Sequence, residues 1–212
     1  MVILGLTGSI GMGKSRAAEV FRRMVVLVHD ADRVVHDLLA TDRTAVAAIA
    51  KAFPGLHVHR AGGIDRQALG RSVFDDALAL ARLEAILHPL VRRRQDRFLR
   101  QAARAGRRLV VLDVPLLFET RGDRHCDAVV VVSAPAFVQA ERVLRRPGIT
   151  RQRLDAILGL QMSDGEKRSR ADFVVDTGLG YSHSLRQIRA IVKVACQWRG
   201  NHWPPIGPGR IR

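Results

Sequence analysis

The sequence predicts an α/β fold, a three-layer α/β/α sandwich in which helices cover both faces of a parallel sheet. One observation is a series of short apolar runs, rich in β-branched residues, with the length of strands buried on both faces of such a sheet. Another is that stretches with helical periodicity alternate with these runs, which favours right-handed crossovers between parallel strands. The length of 212 residues suits one such domain with insertions and is too short for two full-sized domains.

The predicted elements alternate along most of the chain. The apolar runs that we expect to form strands cover residues 2–6, 25–28, 109–112, 128–132 and 173–175. Helices are expected at residues 15–24, 31–39, 136–144 and 181–198. These elements place one core in residues 1–29, 109–144 and 168–199, within a single domain that covers residues 1–199.

Three segments lie outside this core. Residues 30–108 are much longer than a single crossover needs and have a helical pattern almost throughout, which predicts an inserted subdomain on the substrate side. Residues 145–167 are rich in arginine and contain Pro147-Gly148, a turn signal between two helical stretches, so they are expected to form a mobile lid. Residues 200–212 combine prolines with glycines and are expected to form a loose tail.

One helix within the insertion has two contrasting faces. Its apolar face is predicted to consist of Leu80, Leu83, Leu87, Val91, Phe98 and Ala102. Its opposite face consists of Arg93, Arg97, Arg100 and Arg104. This row of arginines is most simply a solvated face, and the alternative is a ligand groove. Arg94 falls inside the apolar stripe, where its guanidinium either extends to solvent or reaches an anion.

The net charge and the aromatic content indicate whether the protein binds nucleic acid. The formal net charge is +15, which taken alone suits a protein that binds nucleic acid. The arginines are spread along the whole chain, however, and the aromatic residues on which single strands stack make up only 5%. A polyanionic small ligand also requires positive charge. We therefore expect no specific nucleic-acid partner.

The cysteines and histidines give no sign of a structural metal. Cys126 and Cys196 are far apart and match neither a disulfide framework nor a zinc spacing, which suits a reducing cytoplasm. His57, His59 and His88 accompany no HExxH motif and are expected to be structural, without zinc. No segment approaches the ~18 uninterrupted apolar residues of a membrane span. A cytoplasmic protein with no membrane partner is expected, and a monomer is favoured.

Residues 8–15, Gly-Ser-Ile-Gly-Met-Gly-Lys-Ser, match the phosphate-binding pattern GxxxxGK[ST] in full. The match directly follows an apolar run and directly precedes a helical pattern, which is the context that this loop requires. Glycines let backbone amides converge on phosphate oxygens, and the helix presents its positive N-terminal end to the same anion. The residues expected to bind the phosphates are Gly8, Gly11, Met12, Gly13, Lys14, Ser15 and Arg16. A nucleoside triphosphate site follows.

Within this site, Lys14 is expected to reach the β and γ phosphates, and the Ser15 hydroxyl is expected to ligate Mg²⁺. Asp113 ends the run at 109–112, where it is placed like the acid that holds the water shell of the metal. The alternative is that Asp113 only caps the next turn. The sequence has no NKxD motif and no DxxG after the third run, so a GTPase of the usual kind is disfavoured.

Asp30 and Asp32 end the second run, at the carboxyl side of the sheet, where open α/β folds bind ligands. A carboxylate there can orient an acceptor hydroxyl and take its proton, and an aspartate can also cap the helix that follows. The spacing does not decide which residue does which. Arg142, Arg145 and Arg146 lie close together at the start of the expected lid. An arginine over the γ phosphate would neutralise charge on the transferring group, and the alternative for each is a solvated position.

Further short motifs are distributed along the chain. They are LTGSIGMGKS (6–15), HDAD (29–32), GIDR (63–66), VF (73–74), LE (83–84), HP (88–89), DVPLLFE (113–119), ER to RPG (141–148), QM (161–162), EKR (166–168) and AD (171–172). Together they resemble the dephospho-coenzyme A kinase family, which performs the last step of coenzyme A biosynthesis. The family usually carries a glycine just before its second strand, where this chain has Met24-Val25.

The resemblance implies a P-loop fold of the nucleoside-monophosphate-kinase type, with a core, a helical coenzyme-binding subdomain and a lid that closes over ATP. It also implies transfer of the γ phosphoryl group of Mg·ATP to the ribose 3′-hydroxyl of dephospho-coenzyme A. The catalytic residues would be Asp32, Lys14 and Arg142. Arg146 would be a lid arginine that contacts ATP, and Mg²⁺ would bind at Ser15 and, through water, at Asp113.

The acceptor side would include Thr7, Asp32, His88, Pro89 and Leu116. Two rival hypotheses stay open beside this one. The first is another small-molecule kinase on the same fold, such as a nucleoside or nucleotide kinase. The second, which the charge suggests, is a regulatory ATPase that binds nucleic acid.

Overall fold

The computed structural model describes residues 1–204 except 57, 60, 61, 74 and 75. His57, Phe74 of the VF motif and residues 205–212 of the expected tail therefore lie outside the described residues. The chain forms two compact units. The first consists of Met1–His29 together with the chain from Gln101 onward, and the second consists of Asp30–Arg100.

A five-stranded sheet of described residues forms the centre of the first unit, with the strand order β2-β3-β1-β4-β5. Its strands are β1 (Val2–Thr7), β2 (Leu27–Asp30), β3 (Leu109–Asp113), β4 (Ala128–Ser133) and β5 (Phe173–Asp176). β1 pairs in parallel with β3 and with β4, and β4 pairs in parallel with β5. The predicted α/β fold is confirmed.

Helices connect and follow these strands. They are α1 (Lys14–Arg23), α2 (Ala31–Thr41), α3 (Arg43–Ala52), α4 (Arg66–Val73), α5 (Ala77–Arg104), α6 (Ala136–Leu144), α7 (Arg151–Gly159), α8 (Asp164–Ser169) and α9 (Tyr181–Ala195). Among the helices of the described ranges, none combines the length and the apolar composition that a bilayer crossing needs.

Apolar packing on the sheet explains why the continuous apolar runs became strands. Every residue of β1, β3 and β4 is buried. α1 and α9 pack in one cluster with these strands, through Phe21 and Ile188 among others. Full burial of one such side chain stabilises a fold by about 1.5–3 kcal/mol. Burial of the residues of β1, β3 and β4 therefore fixes these strands, and with them the carboxyl edge of the sheet.

The second strand begins later than predicted. The run at 25–28 was expected to be extended throughout, but β2 starts at Leu27 because the chain uses Val25 and Val26 to end α1. The Val26 amide donates to the Phe21 carbonyl oxygen at 3.1 Å and the Val25 amide donates to the Arg22 carbonyl oxygen at 2.9 Å. These two bonds form a Schellman turn, in which Val25 has the left-handed φ of 61°.

The second unit has a separate apolar cluster from α2, α3, α4 and α5, which includes Leu38, Ile49 and Leu83. The apolar face of α5 is displaced by one residue from the predicted one at its start. Ala79 is buried and Leu80 is 43% exposed, although helical periodicity places both residues within one turn of Leu83 on the same side of the helix.

Candidate active site

The phosphate-binding loop leaves β1 at Thr7 and enters α1 at Lys14. Gly11 and Gly13 have left-handed φ values of 78° and 92°, which glycine adopts without strain. A Cβ atom at Gly8 would lie 2.6 Å from the Val132 carbonyl oxygen, so the close approach of the loop to β4 also requires glycine. No side chain caps the start of α1, and its first-turn amides can therefore bind an anion.

Two glutamines hold the backbone of this loop at Ile10. Gln139 Nε2 donates to the Ile10 carbonyl oxygen at 2.8 Å. The Ile10 amide donates to Gln161 Oε1 at 3.1 Å. Neither contact was predicted, although Gln161 belongs to the QM motif. The loop is thus fixed from α6 and from the end of the segment at 145–167.

Arg142 contacts the loop through Thr177, which sequence reasoning missed. Arg142 Nη1 donates to Thr177 Oγ1 at 2.9 Å, and Nη2 donates to the Thr177 carbonyl oxygen at 2.7 Å. Nη1 also lies 3.4 Å from the Gly11 carbonyl oxygen. Thr177 Oγ1 donates to the Met12 carbonyl oxygen at 2.7 Å. The position of Thr177, directly after β5 at the carboxyl edge of the sheet, is the signal that points to it.

Lys14 and Asp113 form an ion pair at the start of α1. Lys14 Nζ lies 2.6 Å from Asp113 Oδ1. The pairing register of β1 with β3 places Leu6 opposite Asp113, which brings this carboxylate beside the loop. Asp113 is only 2% exposed, and a buried carboxylate needs such a partner. The two residues that the sequence assigned to phosphate and metal are therefore in direct contact.

Thr7 lies at the end of β1, fully buried. Its hydroxyl donates to the Pro115 carbonyl oxygen at 2.8 Å and so holds the segment after β3. Leu116, which follows Pro115, is partly exposed. In this structure Thr7 therefore positions the segment that carries Leu116, and its hydroxyl is engaged with protein.

Of the remaining predicted phosphate ligands, Met12 has a buried side chain and three others have accessible ones. Ser15 and Arg16 are exposed in the first turn of α1, and Arg146 is exposed after α6. Arg145 differs from Arg142, because it pairs with Glu141 on the surface at 2.5 Å. An exposed pair of this kind contributes little to stability. Of the arginines near the expected lid, Arg142 is the one at the loop.

Glu119 anchors the segment that follows α7. Lys167 Nζ, fully buried, lies 2.9 Å from Glu119 Oε1, and the Met162 amide donates to the same oxygen at 3.0 Å. Burial raises the pKa of Glu119, but the Lys167 ammonium and the backbone donors outweigh it and hold the pKa below its usual value. Glu119 is therefore ionised at neutral pH.

The second unit carries the predicted acceptor residues Asp32, His88 and Pro89. Asp30 Oδ1 accepts the Arg33 amide at 2.9 Å and caps α2. Asp32, one turn into α2, has an exposed side chain. Of the two roles that the sequence left open, helix capping therefore belongs to Asp30. His88 and Pro89 are exposed within α5.

No three His, Cys, Asp or Glu side chains within the described ranges come together as a metal-binding group. Burial raises the pKa of Cys126 to about 12, so this thiol is protonated at neutral pH and is a poor ligand or nucleophile. The chemistry available at the loop is therefore that of ammonium, guanidinium, hydroxyl and carboxylate groups around backbone amides.

Comparisons with known proteins agree with this geometry. Residues 2–181 match the model of the family described as dephospho-CoA kinase. A dephospho-CoA kinase from Paramagnetospirillum magneticum is 62% identical over 192 residues, which cover 91% of this chain and 90% of that protein. A dephospho-CoA kinase from Rhodospirillum rubrum is 56% identical over 194 residues, which cover 92% of each chain.

Solved structures share the fold. A protein from Thermus thermophilus superposes with a TM-score of 0.78 at 33% identity, over 94% of this chain and 98% of that one. A dephospho-CoA kinase from Campylobacter jejuni superposes with a TM-score of 0.62 at 21% identity, over 91% and 96% of the two chains. The family resemblance of the motifs is confirmed: the chain belongs to the dephospho-CoA kinase family and is a kinase.

Proposed function

We propose that this chain transfers the γ phosphoryl group of ATP to the ribose 3′-hydroxyl of dephospho-CoA, which gives CoA and ADP. The observation that carries the proposal is the braced phosphate loop with the Lys14–Asp113 pair at its end, where Nζ and Oδ1 are 2.6 Å apart. A loop held in place before the nucleotide binds loses little entropy on binding. Membership of the family supplies the acceptor.

At the nucleotide, the loop amides and Lys14 stabilise negative charge on the β and γ phosphates. Arg142 holds the loop through Thr177, and Arg16 and Arg146 bring further positive charge. Mg²⁺ would be held by the Ser15 hydroxyl and, through water, by Asp113. This small set of oxygens fits Mg²⁺, which keeps several waters and is completed by phosphate oxygens. The ion, when bound, neutralises phosphate charge.

At the acceptor, Asp32 is the base. The Asp32 side chain is exposed, and in this proposal its carboxylate orients the 3′-hydroxyl and accepts its proton. The hydroxyl oxygen forms a bond to the γ phosphorus as the bond to the bridging oxygen of ADP breaks. His88, Pro89 and Leu116 are the acceptor-side residues of this proposal, and Thr7, whose buried hydroxyl donates to the Pro115 carbonyl oxygen, positions the segment that carries Leu116.

Exclusion of water is the task of the segment at 145–167, which we propose is a lid. A kinase that leaves the γ phosphate open to water hydrolyses ATP instead of transferring it. The lid joins the core at Gln161, Met162 and Lys167, through the contacts to Ile10 and Glu119. Residues 30–108 are the helical coenzyme-binding insertion in the same proposal, and the core is made of 1–29, 109–144 and 168–199.

A coupled assay of ADP release tests the proposal. We expect dephospho-CoA to support ADP release with a KM of about 1 μM–1 mM, the usual range for enzymes. Nucleosides and nucleoside monophosphates should not support it. Chelation of Mg²⁺ with EDTA abolishes the release, and added Mg²⁺ restores it. Preference for a nucleoside or nucleotide acceptor would contradict the proposal.

The net charge of +15 is the observation that favours the second candidate, a nucleic-acid-dependent ATPase. That function predicts ATP turnover that single-stranded DNA or RNA stimulates, and binding that falls steeply with salt. In the same assay without dephospho-CoA, we expect neither nucleic acid to raise ADP release. A large stimulation there would support the ATPase instead.

A further inference from the structure

The second unit contains a cleft of about 190 Å³ between α5 and the junction of α2 with α3. The residues that line this cleft include Leu38, Asp42, Leu90, Arg93, Arg94 and Arg97. The arginine row of α5 was expected to be most simply a solvated face, with a ligand groove as the alternative. Arg93 and Arg97 are exposed, as on a solvated face, and they also stand one helical turn apart on the wall of a concave site.

Arg94 and Asp42 are engaged with each other. Arg94 Nη2 lies 2.9 Å from Asp42 Oδ2, while Asp42 Oδ1 accepts the amides of Thr44 and Ala45 at 3.1 and 3.2 Å and so caps α3. The hydrogen bond from Arg94 is the main cause that lowers the pKa of Asp42. The carboxylate is therefore ionised, occupied, and unable to neutralise a second arginine.

Arg93 and Arg97 have no such partner. Over the part of the chain that the structure describes, neither side chain has a hydrogen bond or an ion pair with protein. The cleft therefore presents three guanidinium groups against one carboxylate. Beside them, Leu38 and Leu90 are buried and give the cleft an apolar part. Its occupant should combine a multiply charged anion with an apolar group.

We propose that this arginine cleft binds the diphosphate of the acceptor, and that Leu38 and Leu90 contact the branched apolar carbons of the pantetheine arm that follows it. The proposal rests on the proposed function, because it takes the acceptor to be dephospho-CoA with its 3′-hydroxyl at Asp32. Guanidinium groups bind phosphate oxygens in pairs of parallel hydrogen bonds, so two arginines match two linked phosphates.

The distances along α2 are within the overall length of the acceptor. Asp32 precedes Leu38 by six residues and Asp42 by ten, which at 1.5 Å per residue corresponds to about 9 Å and about 15 Å along the helix axis. The diphosphate of dephospho-CoA is attached to the 5′ carbon of the ribose that carries the 3′-hydroxyl, and the arm continues away from it. An acceptor with its hydroxyl at Asp32 can thus extend into the cleft.

The test compares two double variants of the full-length chain. Arg93→Gln with Arg97→Gln removes the two unpaired cleft arginines, and Arg92→Gln with Arg100→Gln removes the same charge from exposed positions of α5 that do not line the cleft. For the cleft variant we expect the KM for dephospho-CoA to rise about tenfold or more, since charge-assisted hydrogen bonds are lost. The KM for ATP and kcat at saturation stay within about twofold. The control variant should match the wild type.

Calorimetry with 4′-phosphopantetheine, which has the arm and one phosphate but no ribose, separates this proposal from the proposed function. We expect binding to the wild type and the control variant, and at least about tenfold weaker binding to the cleft variant. Equal loss in both variants would show long-range electrostatics only and would overturn the cleft, as would no loss in either. If the wild type does not phosphorylate dephospho-CoA, the proposed function fails, while calorimetry still decides the cleft.

Discussion

At the scale of single side chains, Thr177 links the phosphate loop to α6 and to β4. It accepts two hydrogen bonds from Arg142 and donates one to the Met12 carbonyl oxygen. Its amide also donates to the Ser133 carbonyl oxygen at 2.9 Å, so it ties the loop to β4. A residue with these contacts keeps the loop in the conformation that receives phosphates.

We predict that Thr177→Val lowers kcat/KM for ATP. Valine keeps the shape but removes the hydroxyl, which leaves the Met12 carbonyl oxygen and Arg142 Nη1 without this partner. A lost partner of this kind costs about 1–3 kcal/mol, or about 5–150-fold. Thr177→Ser restores the hydroxyl and should retain activity within about threefold. Steady-state kinetics with varied ATP measures both, and a valine variant as active as the wild type would show that the contacts have no role.

The contacts of single site residues differ in how far local sequence could predict them. Lys14 and Asp113 could both be assigned to the phosphate site, because a loop motif and a strand end fix their places from local sequence alone. The structure places their side chains 2.6 Å apart, and their roles toward phosphate and metal stay predictions. The bonds of Arg142 to Thr177 connect residues 35 positions apart, and only the order of strands in the sheet reveals such a pair. Its expected place over the γ phosphate stays a prediction.

At the scale of elements, α1 ends with a residue that is unusual for its turn. Val25 occupies the left-handed position of a Schellman turn with φ of 61°, where glycine is the usual residue. The side chain is also largely exposed, so it gains little from burial. A β-branched residue there is strained.

We therefore predict that Val25→Gly stabilises the protein. Relief of the left-handed strain is worth about 1–2 kcal/mol, and the greater chain entropy of glycine in the unfolded state offsets part of it, which leaves a gain of about 0.5–1 kcal/mol. The melting temperature should rise by about 1–4 °C in a thermal scan. Val25→Ala serves as the control, since it removes the branched side chain but keeps a Cβ atom. A glycine variant that melts below the wild type would contradict the assigned strain.

Strand and helix types followed from sequence, but their ends and faces did not. The apolar runs that form β1, β3 and β4 are buried on both sides, so burial alone specifies them. The start of β2 depends instead on how α1 ends, and that end is set by the backbone hydrogen bonds of residues 24–26. The buried face of α5 depends on whether Ala79 or Leu80 begins it. A stripe that starts at either residue fits the apolar pattern of the sequence, so the sequence does not decide between them.

At the scale of the whole molecule, the residues assigned to the proposed reaction are distributed over the two compact units. The phosphate loop, Lys14 and Asp113 belong to the first unit, and Asp32 and the arginine cleft belong to the second. The sequence indicated a long helical insertion between the second and third strands, because no single crossover needs residues 30–108. The resemblance assigned catalysis to Asp32, which stays a prediction, and the structure adds that Asp30 is the helix cap.

The measurement that tests this account most directly is turnover of Asp32→Asn with dephospho-CoA, together with its affinity for ATP. The amide keeps the shape but cannot accept the hydroxyl proton. We expect kcat to fall by at least about 100-fold, as for the loss of a general base, and the Kd for ATP to stay within about twofold. Asp37→Asn, which changes another exposed carboxylate of α2, should behave like the wild type. An Asp32→Asn variant that turns over within a few-fold of the wild type would contradict the account.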